Sequence, residues 1–247
     1  MADSRRVFIT GGTGYLGAAL LPALLARGHR VTALTRRSSA RKPPAGCGVV
    51  EGDALAAASF ADRVVPADTL VHMVGVSHPA PWKAAQFRAV DLASVRVSVV
   101  AAKAAGVRHF VYLSVAQPAP AMRAYVAVRA ECEALIAASG LDATFVRPWY
   151  VLGPGHRWPY ALVPLYALLE RLPATGETAR RLGLVKLREM VETLIWAVEN
   201  PPQGVRILDV KAIRRTELSS KLAGSIRPGE PTEAPASPSG APPSRLI

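Results

Sequence analysis

A glycine-rich turn near the start of the chain has the residue types and the spacing to bind a phosphate group. The apolar run at residues 7–9 enters the turn TGGTGYLG at residues 10–17, and an Ala- and Leu-rich helical pattern follows. This order of strand, turn and helix brings bare backbone amides to the positive end of the helix, where a pyrophosphate can lie. Gly12 and Gly14 are expected to shape the turn, and Gly17 to let the helix pack closely on the strand. The sequence therefore predicts a dinucleotide site.

The end of the second predicted strand bears on which dinucleotide binds. This strand ends in Thr35-Arg36-Arg37, with no acidic residue. An Asp or Glu about 20 residues beyond the glycine turn usually bonds the ribose 2′-hydroxyl of NAD, whereas a guanidinium suits the 2′-phosphate of NADP. We therefore expect NADP(H) to be preferred, with NAD(H) possible. The alternative that stays open is that the basic residues between positions 36 and 42 form only a solvated loop.

Composition narrows the class of protein. The 247 residues, 50% hydrophobic and 19% charged, can bury a full core and indicate one domain with additions. The sequence has no apolar run of about 18 residues and enters its first strand by residue 7, so we expect a cytoplasmic protein without a signal peptide or membrane span. Cys47 and Cys132 lack metal-ligand spacing and are expected to be free thiols, with no metal bound. The net charge of +12 comes from dispersed basic residues without a nucleic-acid-binding motif, so no nucleic-acid partner is expected.

Strand-like apolar runs alternate with helical patterns along most of the chain. Further strands are predicted at residues 48–53, 69–75, 109–114, 143–148 and 204–210. Further helices are predicted at residues 56–65, 86–105, 121–139 and 184–198. Nearly continuous apolar strands separated by helices indicate an α/β fold with a doubly wound parallel sheet. Ligands bind beyond the carboxyl ends of such strands. The segments expected to converge there are residues 11–15, 35–37, 53–54, 74–77 and 114–116.

The glycine turn and the later strand ends together resemble one protein family. Residues 10–17, Gly52-Asp53-Ala54, Val111-Tyr112-Leu113-Ser114 and the segment RPWYVLGPG at residues 147–155 are similar to motifs of the short-chain dehydrogenase/reductase superfamily, extended or atypical type. This resemblance covers about residues 5–213 and implies an NAD(P)-binding Rossmann fold like that of NAD-dependent epimerases and dehydratases. Asp53 would meet the adenine amino group. The cofactor-binding residues that it implies are Gly11, Gly12, Thr13, Gly14, Tyr15, Leu16, Gly17, Thr35, Arg36, Arg37, Asp53, Ala54, Val74, Gly75, Val76 and Pro148.

The same resemblance implies a catalytic group that is altered in this chain. The family pairs a proton-transferring tyrosine with a lysine one helical turn later, and here Tyr125 is followed by Arg129. Arg129 keeps a positive charge that could bond the nicotinamide ribose and favour the phenolate of Tyr125, although it cannot lose a proton near neutral pH. Ser114 could polarise a substrate carbonyl while Tyr125 donates the proton. The alternatives are that Tyr125 is a half-buried structural aromatic and that Ser114 merely ends its strand.

The chain divides into three predicted regions. Residues 1–150 are expected to form the dinucleotide-binding core, residues 151–215 a small substrate-side lobe, and residues 216–247 a disordered, proline-rich tail. In the lobe, the loop at residues 154–160 is either a pocket wall or a turn anchored by Trp158. His72 lies in a buried-looking strand and is expected to be a core histidine.

Three functions stay open from the sequence. The first is an NADP(H)-dependent oxidoreductase acting on a small carbonyl or alcohol, as a monomer or a homodimer. The second is a dinucleotide-binding sensor or accessory subunit without turnover, since the lysine of the family is replaced. The third and weaker one is a sugar-nucleotide epimerase or dehydratase, whose relatives need a larger sugar-binding lobe than residues 151–215 offer.

Overall fold

The computed structural model describes residues 3–39, 41–154 and 181–215, and its central element is a seven-stranded sheet. All neighbouring strands in this sheet run parallel, in the order β3-β2-β1-β4-β5-β6-β9. The order reverses next to β1, as in a doubly wound sheet. The predicted Rossmann fold is therefore confirmed. The strands of this sheet are β1 (Arg6–Thr10), β2 (Arg30–Thr35), β3 (Gly48–Glu51), β4 (Thr69–His72), β5 (His109–Leu113), β6 (Asp142–Val146) and β9 (Val205–Leu208).

The central strands are mostly apolar because both faces of the sheet are covered. Successive side chains of a strand point to opposite faces. In β1, Val7 and Ile9 pack in one hydrophobic cluster and Phe8 in another, and all three are buried. The cluster around Val7 and Ile9 includes residues of α1 (Tyr15–Ala26) and α4 (Leu187–Glu199). A parallel sheet buried on both sides has this pattern.

The opposite face is covered by α2 and α3, which also border the candidate site. Helix α3 spans Arg123–Ala138. Helix α2 is a continuous helix of residues 84–104, in which a π-helical turn, Phe87–Leu92, lies between Ala84–Gln86 and Ala93–Ala104. A π-helical turn changes the phase of a helix, because each hydrogen bond spans one more residue than in an α-helix. This turn contains the buried residue Asp91.

Two predicted helices differ from the structure. The pattern at residues 184–198 begins with a strand, because Leu184–Lys186 (β8) pairs in parallel with Tyr150–Leu152 (β7). The helix starts only at Leu187, where the amide of Lys186 donates to the carboxylate of Glu189 at 2.7 Å. The predicted helix at residues 56–65 is instead two short 3₁₀ turns, Ala57–Ser59 and Ala61–Arg63.

Several expectations concern segments outside the described residues. These are most of the loop at residues 154–160, including Trp158, and the proline-rich tail at residues 216–247. Among the helices that the structure describes, none combines the length and the apolar character that crossing a bilayer requires. Cys47 and Cys132 are both free thiols, as expected.

Candidate functional site

The glycine turn packs directly against the end of β4 and the start of α1. Gly11 has a φ of +79°, and an added Cβ would lie 2.7 Å from the carbonyl carbon of Met73. An added Cβ on Gly17 would overlap the carbonyl of Gly12 and lie 2.5 Å from its Cα. At Gly12 an added Cβ would meet nothing closer than 3.4 Å. We expected Gly12 and Gly14 to shape the turn, but the positive φ and the close backbone contact are at Gly11, while Gly17 packs closely as expected.

A cavity of about 550 Å³ opens in front of this turn at the carboxyl ends of the strands. It is bordered by four of the five segments that we expected to converge, namely those that follow β1, β2, β3 and β4. Gly11 packs closely on the backbone after β4, the amide of Gly14 donates to the carbonyl of Gly11 at 3.0 Å, and the N-terminus of α1 follows directly. These features fit a dinucleotide phosphate. The lining residues are Gly11, Thr13, Gly14, Leu34, Arg36, Ser38, Ser39, Arg41, Gly52, Asp53, Ala54, Leu55, Met73, Val74, Gly75, Ser77 and Val90.

The basic edge of the cavity differs from the expected one. Arg36 lines the cavity, but Arg37 turns away, where its Nε donates to a Glu51 carboxylate oxygen at 2.5 Å and its side chain is 90% exposed. Arg41 takes the second place at this edge. The hydroxyl of Ser39, also in the lining, lies 3.4 Å from that of Thr13 in the glycine turn. Two arginines and two serines, Arg36, Ser38, Ser39 and Arg41, therefore border the end of the cavity beside β2.

Only some of the remaining predicted cofactor residues line the cavity. Asp53 lines the cavity, and one of its carboxylate oxygens accepts a hydrogen bond from the amide of Leu55 at 3.0 Å. The hydroxyl of Tyr15 occupies the place that a Cβ on Gly153 would need, so the start of α1 contacts the segment after β7. Within the described part of the chain, eight predicted residues do not line this cavity. They are Gly12, Tyr15, Leu16, Gly17, Thr35, Arg37, Val76 and Pro148.

The predicted catalytic residues lie directly after β5 and on α3. Ser114 follows β5, is buried, and its hydroxyl has no hydrogen-bond partner among the described residues. The ring of Tyr125 packs 5.0 Å from that of Phe87, and the Arg129 guanidinium lies 5.0 Å from its centroid. The one-turn spacing thus brings Tyr125 and Arg129 together, as expected. Ser114, Tyr125 and Arg129 are absent from the lining of the 550 Å³ cavity as the described residues define it.

Arg129 is buried and held by an acidic residue that the sequence analysis did not identify. Its Nη2 lies 2.7 Å from a carboxylate oxygen of Asp91, and both side chains are buried. Its Nη1 donates to the carbonyl of Leu113 at 2.7 Å and to the hydroxyl of Tyr112 at 3.2 Å. The sequence held one signal for this pair. Asp91 stands among apolar residues of a predicted helix, and a buried acid usually has a partner.

The environment of Tyr125 does not favour its phenolate. Burial raises the pKa of the Tyr125 phenol, and the opposing effect of Arg129 does not cancel that rise. Burial likewise raises the pKa of Asp91, while Arg129 and the amide of Val76 counteract it. The expected acidification of Tyr125 by Arg129 is therefore outweighed by desolvation.

His72 is a core residue, as expected. It is fully buried on β4, with the hydroxyl of Thr10 2.8 Å from Nδ1 and that of Ser94 3.2 Å from Nε2. Burial lowers its pKa to about 3, so the ring is neutral at physiological pH. Among residues 3–39, 41–154 and 181–215, no three His, Cys, Asp or Glu side chains are grouped to hold a metal ion.

Comparison with known proteins identifies relatives that are named as reductases. A ceramide reductase from Caulobacter vibrioides is 30% identical over 214 residues, which cover 85% of this chain and 66% of that protein. A 3-diazoavenalumate denitrifying reductase from a Streptomyces species is 29% identical over 226 residues, which cover 81% of this chain and 74% of that protein. The match spans just under two thirds of the ceramide reductase.

Solved structures with the same fold include enzymes bound to NAD. The Bordetella bronchiseptica enzyme WbmH in complex with NAD⁺ has a TM-score of 0.64 and 22% identity, covering 93% of this chain and 85% of that one. A UDP-N-acetylglucosamine 4-epimerase from Methanobrevibacter ruminantium has a TM-score of 0.63 and 17% identity, covering 92% and 87%. A family model described as NAD(P)H-binding matches residues 11–160. The chain therefore belongs to this NAD(P)H-binding family and is a member of the short-chain dehydrogenase/reductase superfamily, of the extended or atypical type.

Proposed function

We propose that this protein is an NADP(H)-dependent reductase that acts on a small carbonyl substrate. The observation that carries the cofactor assignment is the pair Arg36 and Arg41 at the edge of the cavity beside the end of β2. A guanidinium there can bond a ribose 2′-phosphate through paired N–H donors. The names of the two reductase relatives support reduction as the reaction.

The residues that border the cavity would hold the dinucleotide in a defined order. The glycine turn at residues 11–14 and the N-terminus of α1 would bind the pyrophosphate. Asp53 would meet the adenine amino group, and Arg36 with Arg41 would bind the 2′-phosphate. Gly75 would border the nicotinamide ribose. Arg129 contacts Gly75 so closely that an added Cβ there would overlap its Nη2, so its charge lies at this end of the site.

Ser114, after β5, and Tyr125, on α3, would then bind and protonate the substrate oxygen. A bound reduced nicotinamide would supply the hydride that reduces the carbonyl carbon. The phenol of Tyr125 donates its proton to the carbonyl oxygen as negative charge develops there, and the product is an alcohol. Ser114 donates a hydrogen bond to the same oxygen. Tyr125 regains its proton from water.

Cofactor preference is tested by two single-charge variants of neighbouring residues. Calorimetric titration of the wild type should show tighter binding of NADPH than of NADH. Arg36→Ala should weaken NADPH binding by about tenfold or more, since a hydrogen bond to a charged group contributes about 1.5–3 kcal/mol, and should leave NADH binding nearly unchanged. Arg37→Ala removes the same charge from a side chain that faces Glu51 and solvent, and should bind NADPH like the wild type. Equal losses in both variants would contradict the assignment of Arg36.

Turnover is tested by oxidation of NADPH in the presence of a panel of small ketones and aldehydes. The wild type should reduce at least one of them, and Tyr125→Phe should lower kcat by about 10²-fold or more, the usual contribution of a proton donor. A protein that binds NADPH but reduces none of the panel would contradict the reductase assignment and favour the second candidate.

That second candidate is a dinucleotide-binding sensor or accessory subunit without turnover. The burial of Arg129 against Asp91 favours it, because a guanidinium held in this way is not free to replace the lysine of active relatives. Arg129→Lys separates the two. A large gain of activity on this change would favour a protein that lost turnover, whereas loss of an existing activity would show that arginine functions in the wild type. The likeness to the UDP-N-acetylglucosamine 4-epimerase is one of fold, at 17% identity.

A further inference from the structure

We propose that Asp91 is a positioning residue that neutralises Arg129, so that Tyr125 serves the site as a proton-donating phenol and not as a phenolate base. This inference rests on the proposed reductase function, because it assigns the direction of proton transfer at the same site. It adds Asp91 to the residues that determine the chemistry.

Asp91 is fixed at both carboxylate oxygens. It lies on the π-helical turn Phe87–Leu92 and is fully buried. One oxygen is 2.7 Å from Nη2 of Arg129, and the other accepts a hydrogen bond from the amide of Val76 at 3.0 Å. A buried ion pair with additional hydrogen bonds is costly to break, because removal of one partner leaves the other charge unpaired.

Arg129 is fixed from three further directions. Its Nη1 donates to the carbonyl of Leu113 and to the hydroxyl of Tyr112, and its Nη2 fills the space where a Cβ on Gly75 would lie. A planar guanidinium that is bonded on two edges keeps one orientation. The cation therefore stays beside Asp91 and does not approach Tyr125 as an isolated charge.

The electrostatic consequence follows from the separation of the charges. A lone buried cation 5.0 Å from the ring of Tyr125 would stabilise its phenolate. The carboxylate of Asp91 lies 2.7 Å from that cation and opposes its field at the phenol. Asp91 therefore offsets part of the effect of Arg129 on the pKa of Tyr125.

The other described groups around Tyr125 do not restore the positive field that Asp91 opposes. Phe87 on α2 is apolar, and Cys132 on α3 and Tyr112 on β5 are neutral at physiological pH because burial raises the pKa of each. His72 on β4 lies 5.9 Å from the ring of Tyr112 and is also neutral, since burial lowers its pKa to about 3. Burial then raises the pKa of Tyr125 itself. A neutral phenol donates a proton to a reduced carbonyl, whereas oxidation of an alcohol would begin with a phenolate that the site does not favour.

A spectrophotometric titration of tyrosinate tests this without substrate or nucleotide. The chain has six tyrosines, so the difference between the wild type and Tyr125→Phe isolates one phenol. We expect no difference between the two titrations below about pH 10, the ordinary tyrosine value. An additional phenol that ionises in the wild type below about pH 9, and that Tyr125→Phe lacks, would overturn the proposal.

Asp91→Asn removes the opposing charge with little change of shape. The pKa of Tyr125 should then fall by about one unit or more, which is a tenfold increase in its ionised fraction. The extra ionisation should vanish in the double variant Asp91→Asn/Tyr125→Phe, and no fall in pKa would overturn the proposal. Glu131→Gln is the matched control, because it removes the same charge from an exposed residue of α3 that pairs with Arg88 at 2.9 Å. It should leave the titration unchanged.

A second variant covers the case in which Asp91→Asn does not fold. Asp91→Asn/Arg129→Met removes both charges, a change that buried ion pairs often tolerate. With both charges removed, burial still raises the pKa of Tyr125, so Tyr125 should stay un-ionised below about pH 10, as in the wild type. Ionisation at lower pH in this variant would overturn the proposal. Failure of NADPH binding would affect only the proposed function, since every titration here is made on the protein alone.

Discussion

Replacement of Gly17 by alanine tests how closely α1 must approach the glycine turn. An added Cβ would lie 2.5 Å from the Cα and the carbonyl carbon of Gly12, whereas ordinary carbon contacts are about 3.5–4.0 Å. The backbone must therefore separate by about 1 Å, and such overpacking costs about 3 kcal/mol at the upper end of the usual range. Alanine recovers about 1 kcal/mol of helix propensity. The expected net loss is about 2 kcal/mol of the free energy of unfolding.

The assay combines thermal unfolding with NADPH titration. A loss of about 2 kcal/mol should lower Tm by about 4–8 °C in a protein of this size. NADPH affinity should fall by about tenfold or more, because the displaced turn no longer places its amides on the pyrophosphate. Gly12→Ala is the matched control, since its Cβ would meet only ordinary contacts from 3.4 Å outward, and its stability should change by less than about 0.5 kcal/mol. Equal effects of the two changes would refute the steric reasoning.

Two further predictions concern buried charge and close packing. Burial lowers the pKa of His72 to about 3 and that of His109 to about 4. Below about pH 6.5 the unfolded chain binds protons that these buried histidines do not bind. The free energy of unfolding is therefore highest above about pH 6.5 and decreases as the pH falls from there toward the folded-state pKa values. The free energy of unfolding in urea should decrease by up to about 1.4 kcal/mol per pH unit for each histidine between about pH 6.5 and 5; His72→Gln should remove about half of this slope, and an unchanged slope would contradict it. Gly75→Ala should displace Arg129 from Asp91, because the new Cβ would overlap Nη2 and lie 3.2 Å from the carboxylate. It should lower Tm and weaken NADPH binding together, and wild-type values for both would show that the guanidinium moves without cost.

The sheet was predictable from the sequence because burial on both faces leaves a strong pattern. Strands such as residues 69–72 and 109–113 are nearly continuous apolar runs, and helical patterns separate them. The strand at residues 184–186 was not predictable, since three residues that lead into an amphipathic helix fit either structure. Its pairing with β7 depends on contacts distant in sequence.

The orientations of side chains at the site depend on local backbone geometry that sequence patterns do not predict. Strand β2 ends at Thr35, and the amide of Ser39 donates to the carbonyl of Arg36 at 2.9 Å, so Arg36 and Arg37 lie in a turn. The strand pattern therefore could not indicate which of the two arginines faces the cavity. The position of Arg41 depends on the path of the loop after β2. Asp91 meets Arg129 through a π-helical turn, and a regular 3.6-residue period does not predict that phase.

The most direct test of the central claim is hydrogen–deuterium exchange with and without saturating NADPH. We predict slower exchange in the segments that line the cavity, at residues 11–14, 36–41 and 52–55, and unchanged exchange in the distant edge strand Val205–Leu208. NADPH that binds without protecting these three segments, or that does not bind, would contradict the account of this cavity as the dinucleotide site.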